Sequence, residues 1–109
     1  MVIKPETYKL WEEALNHFGN AEEMWKNESF QKAAGEATSS VLFGIRAITE
    51  LSKELKMPEL FEIAANALLD GLERLEKHYT PKETIEWARR TLKRLSDATP
   101  QDTFRPLMG

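Results

Sequence analysis

Hydrophobic positions fall into four blocks with helical spacing, and the longest block, residues 29 to 55, organises the others. In SFQKAAGEATSSVLFGIRAITELSKEL, apolar or small residues recur at Phe30, Ala34, Ala37, Val41, Gly44, Ile45, Ile48, Leu51 and Leu55. That recurrence lays them on one stripe of a 3.6-residue helix. Lys32, Glu36, Arg46, Glu50, Lys53 and Glu54 lie mostly off the stripe, so one side is built for burial and the other for water. A continuous helix of this length runs about 40 Å at roughly 1.5 Å per residue and needs other elements to cover it. Its small residues, among them Ala33, Gly35, Ala37, Ser40, Gly44 and Ala47, allow a neighbouring backbone to come close.

The flanking blocks supply that cover. Pro5 and Glu6 suit the first turn of a helix, the proline by its fixed φ and the acid by the helix dipole. The helix predicted there runs to about Lys26, with Tyr8, Trp11, Ala14, Leu15, Phe18, Ala21 and Trp25 on its apolar face. Each ring that becomes buried contributes about 1.5–3 kcal/mol. Asn27 and Ser29 are capping types, which predicts a tight, antiparallel join to the central helix. Met57-Pro58 ends that helix and opens a third, running to about Lys77. Its apolar set, Leu60, Phe61, Ala64, Ala65, Leu68, Leu72 and Leu75, is widened by Ile63, Ala67 and Leu69, a breadth that predicts burial on two sides. Thr80-Pro81-Lys82-Glu83 forms a capping box for a fourth helix to about Asp97. Ile85, Ala88, Leu92 and Leu95 make a narrow stripe, which predicts an outer helix.

The expected architecture is an all-α, up-and-down four-helix bundle over residues 1–97, followed by a tail, 98–109. Phe104, Leu107 and Met108 in that tail either dock on another subunit or move freely. No second copy of a 34-residue unit is present, so a closed bundle is preferred to a solenoid. The breadth of the third helix and the aromatic load of the first exceed what one short bundle buries, which predicts a homodimer.

Composition narrows the function classes. The chain has 109 residues, 41% hydrophobic and 30% charged, values that fit one folded domain. No apolar run approaches a membrane span, and MVIKPETYKLW lacks the basic flank and apolar block of a secretion signal, so a cytoplasmic location without membrane contact is expected. Cysteine is absent, which excludes a disulfide framework, a thiolate zinc site and a cysteine nucleophile. Residues 1 to 73 hold seven Lys/Arg against thirteen Asp/Glu, whereas residues 74 to 97 hold seven against four. The last helix is therefore the candidate basic surface.

Two histidines bound the acid–base chemistry. His17 follows Glu13 by four residues and can share a helix face with it. Neither histidine has a glutamate three residues before it, as a di-iron bundle would require, so no metal and no cofactor are expected. Arg74 and His78 lie one turn apart. At a cleft, the first can hold an RNA phosphate while the second handles a proton, the requirement of a metal-independent endoribonuclease. The simpler reading has Arg74 paired with Asp70 or Glu73 and His78 at the negative end of its helix. On the fourth helix, Lys82, Arg89 and Lys93 share one face and Arg90 and Arg94 the next, with Trp87 beside the latter pair. This array suits a phosphate backbone with an indole stacked on a base; its simpler reading is a solvated face with local ion pairs.

The segment AEEMWKNESFQKAAGEATSSVLFGIRAITEL resembles the first long hairpin of the HEPN superfamily, including PaREP1-type archaeal proteins. KHYTPKETIEWARRTLKRL is similar to the Tyr-x-Pro corner by which such domains enter their last helix. The resemblance implies a dimerising helical bundle that binds or acts on RNA and is often encoded beside a small nucleotidyltransferase, as in toxin–antitoxin pairs. Active HEPN ribonucleases carry an arginine and a histidine separated by four to six residues, whereas Arg74 and His78 have three between them. The expected function is therefore a non-catalytic, HEPN-like interaction module that binds a protein partner or a nucleotide or RNA ligand as a homodimer. The alternatives are a ribonuclease using Arg74 and His78, and a scaffold subunit whose Phe104, Leu107 and Met108 order on a partner.

Overall fold

Three of the four helices begin on a proline at the first helical position, where the missing N–H has no partner to lose. The computed structural model, which describes residues 3 to 106, places α1 at Pro5–Lys26, α2 at Phe30–Glu54, α3 at Pro58–Glu76 and α4 at Pro81–Ala98. The chain is an all-α, up-and-down four-helix bundle measuring 44 × 26 × 20 Å. No strand occurs among the described residues.

Helix ends are closed by two devices. At α4, Thr80 Oγ1 accepts from the Glu83 N–H at 3.2 Å while a Glu83 carboxylate oxygen accepts from the Thr80 N–H at 3.0 Å. This capping box satisfies two donors that the helix itself leaves open. At the three corners, Glu28, Lys56 and His78 sit one residue past the C-cap with φ of 61°, 55° and 52°. The first two corners also close a 2.9 Å bond, from the Ser29 N–H to the Met24 carbonyl and from the Met57 N–H to the Ser52 carbonyl. These are left-handed turns of the kind that usually carry glycine.

The central position falls to α2, which packs on the other three helices and buries Ala37, Val41, Ile45, Ile48 and Leu51. Gly44 sets the closest approach. A Cβ built there would lie 2.9 Å from Leu92 Cδ2, 3.2 Å from Leu95 Cδ1 and 3.6 Å from Trp11. The small residue thus lets α1 and α4 meet over α2, and Phe18, Ile48, Leu51 and Leu60 fill out the core.

Three expectations are corrected. The outer helix is α3 rather than α4. Helix α4 buries Thr84, Trp87, Ala88, Thr91, Leu92 and Leu95, while α3 buries only Leu60, Ala64, Ala67 and Arg74. The indole of Trp87 fills the space between α3 and α4; a Cβ on Gly71 would stand 3.3 Å from it. The bulky ring therefore props the two helices apart and leaves α3 seated mainly on α2.

The segment after α4 is not loose in its described part. Phe104 is buried against Trp11, and the Trp11 indole N–H donates to the Arg105 carbonyl at 2.7 Å. Arg105 in turn pairs with Glu12 at 2.7 Å, a contact that raises the pKa of its guanidinium. The docking site of Phe104 is in its own chain because α1 offers a flat indole and a carboxylate side by side. Leu107 and Met108 lie outside the described residues. Tyr8, expected in the core, meets Phe104 edge-on and is 42% exposed.

Candidate functional site

Arg74 and His78 share the corner between α3 and α4 but have opposite environments. Arg74 is only 5% exposed. Its guanidinium lies 4.3 Å from the Trp87 ring centroid and 5.8 Å from that of Tyr79. It donates to Thr84 Oγ1 at 2.9 Å and to Thr38 Oγ1 at 3.4 Å. The expected acids are engaged elsewhere: Asp70 with Arg94 at 3.5 Å and Glu73 with Lys77 at 2.7 Å. Burial pushes the Arg74 pKa down, yet guanidinium stays charged at any ordinary pH. Arg74 therefore ties α3 to α2 and α4, with the aromatic faces and two threonines in place of a carboxylate. His78 occupies the solvent-exposed left-handed corner.

The basic residues of α4 divide in the same way. Trp87 is 7% exposed and packs under Arg74, so its ring is not open for stacking on a base. Arg94 and Lys93 are held by Asp70 and by Asp97, and Arg90 is exposed. Arg89 pairs with Glu22 at 3.0 Å and lies over the Phe18 ring. Lys82 and Arg89 together border a cleft of about 280 Å³ between the end of α1 and the start of α4. The aromatic residue in that cleft is Trp25, which sequence reasoning assigned to the core. Its indole is half-buried and is met edge-on by Phe30 at 4.6 Å.

His17 has a nearer partner than Glu13. Its Nδ1 is 2.5 Å from Glu36 while Nε2 is 3.7 Å from Glu13, and the ring stacks on Phe43. Among the described residues no group of three or more His, Asp or Glu side chains is arranged to hold a metal ion. No helix among them is long and apolar enough to cross a membrane.

The largest anomaly is apolar. Phe61, Leu68, Leu69, Leu72 and Leu75 on α3 and Leu42 on α2 are each between 44% and 62% exposed. Phe61, Ala65, Leu68, Leu72 and Leu75 follow alternating steps of four and three, the spacing of a helix seam. A groove of about 100 Å³ runs between α2 and α3 with Leu42, Leu68, Leu72 and Leu75 on its lips. Six large apolar side chains exposed on two neighbouring helices go beyond the scattered single residues that a monomer normally shows.

Comparison with protein-family models, curated proteins and solved structures gave no match.

Proposed function

We propose that this chain is a non-catalytic interaction module of HEPN-like type that pairs with a second copy through the bare face of α3. The observation that carries the reading is the leucine seam at positions 68, 72 and 75, half-exposed together with Phe61 and Leu69 on the same helix. A standard interface takes about 800 Å² from each partner, and this face offers the apolar centre of one. The helix dipoles favour a two-fold arrangement, because antiparallel copies set the positive start of one α3 against the negative end of the other. A parallel pairing would set Glu59 and Glu62 against themselves.

Light scattering across a concentration series tests the reading. The expected mass is twice that of the chain, and Leu68→Lys with Leu72→Lys returns it to the monomer without loss of helicity. A wild-type chain that stays monomeric at every concentration overturns the proposal.

A further inference from the structure

We infer that the groove between α2 and α3 binds a short aliphatic carboxylate, with its head on Arg74 and its chain among the leucines. Two buried donors there have nothing to donate to. Arg74 and Trp87 are 5% and 7% exposed and both line the groove, yet the Arg74 Nε–H and the Trp87 indole N–H find no acceptor among the described residues. The indole turns its nitrogen side toward α3: a Cβ built on Gly71, which also lines the groove, would stand 3.3 Å from Trp87 Cζ2, the ring carbon on that side. A buried donor left unmet costs free energy, and a buried guanidinium without a counter-charge costs more. Arg74 has no such counter-charge. Asp70 and Glu73 are engaged by Arg94 and Lys77. The Thr38 and Thr84 hydroxyls that accept from its other nitrogens are neutral, and donate in turn to the Ala34 and Thr80 carbonyls. The group that completes this floor is a small anion with two acceptor oxygens, and a carboxylate suits both the guanidinium fork and the indole.

The walls decide what the carboxylate carries. Val41, Leu42, Leu68, Leu72 and Leu75 line the rest of the groove, so a hydroxylated or charged body would be desolvated there without partners. A dry apolar cavity of about 150 Å³ holds a benzene ring; at about 100 Å³ this groove takes a short chain and no ring system. Leu42, Leu68, Leu72 and Leu75 are each about half exposed while lining it, so their inner sides wall the chain and their outer sides make the face offered to a second copy. The inference deepens the reading of that face by naming what lies beneath it, and rests on that reading only for the second copy that roofs the groove. Arg74 and Trp87, which hold the head, are buried below the pairing surface.

The test is an NMR titration of the full chain with sodium hexanoate that follows the three indole N–H signals. The Trp87 signal is expected to move saturably, while those of Trp25 and of Trp11, already bonded to the Arg105 carbonyl, stay in place. Hexanamide, the neutral isostere, is expected to bind at least about tenfold more weakly, the scale of a charge-assisted hydrogen bond. Acetate binds weakly for want of a chain to bury. Arg74→Met removes the preference for hexanoate over hexanamide; if that variant fails to fold, the comparison of the two ligands on the wild-type chain decides alone. Light scattering of the same samples reads the pairing separately. A monomer that takes up hexanoate keeps the carboxylate site and removes the dimer, and a dimer that ignores hexanoate does the reverse. The inference is overturned if the Trp87 signal does not saturate, if hexanamide or acetate binds as well as hexanoate, or if folded Arg74→Met keeps the preference. It is also overturned if N-acetyl-leucylleucine binds more tightly than hexanoate, which would assign the groove to the chain end of a protein partner.

Discussion

Trp11 and Phe104 stack with ring centroids 5.1 Å apart and planes 6° from parallel, which makes the segment after α4 a working part of the core. Phe104→Ala is expected to cost about 3 kcal/mol, the scale of a buried aromatic truncation. Urea denaturation checks this. An unchanged midpoint would mean that the stack holds no stability.

Gly44 and Gly35 lie on the same helix and should respond oppositely to alanine. At Gly44 the added methyl meets Leu92 and Leu95, and overpacking costs about 1–3 kcal/mol. At Gly35 nothing lies within 4 Å, so Gly35→Ala gains up to about 1 kcal/mol of helix propensity. Thermal melts of the two variants should shift in opposite directions.

Arg74→Met removes a cation that bridges α3 to Thr38, Thr84 and Trp87. The expected loss is about 1–3 kcal/mol, the scale of charge-assisted hydrogen bonds, read by chemical denaturation. The opposing result is catalytic: RNA cleavage by the pure chain that vanishes in His78→Ala with the fold kept would make this corner a ribonuclease.

Glu83 reports on the α4 cap. Hydrogen bonds from the Thr80 backbone and side chain hold its carboxyl below the usual range. A depressed folded pKa stabilises above the unfolded value, about 4.3 for glutamate, and that stabilisation is lost as pH falls through the folded value. Glu73, lowered by Lys77, adds in the same direction. Glu83→Gln keeps the cap geometry and should flatten the stability profile below about pH 4.3; an identical profile would show that the cap does not titrate.

The four helices, the α4 capping box and the close approach at Gly44 were legible because each depends on spacing or on a local residue choice. The burial of α4 was not. Its second inward row is Thr84, Trp87 and Thr91, and the two threonines disguise an apolar pattern while their hydroxyls face the fold. This is why Trp87 read as a surface ring and α4 as an outer helix. Trp25 read as core because helical spacing alone does not show that the end of α1 projects beside α4. For α3 the breadth of the apolar stripe was visible, but periodicity does not say whether the second side meets the same chain or another one.

Each interhelical corner holds a side chain in a backbone region that costs an ordinary residue roughly 1–2 kcal/mol. Glu28→Gly and Lys56→Gly should each raise the melting temperature, and a melt that does not rise would show that these corners are already relaxed. A molecule that leaves such gains untaken at successive bends has thermal headroom in reserve, so an engineer can harden it at its corners without touching the exposed leucines of α3.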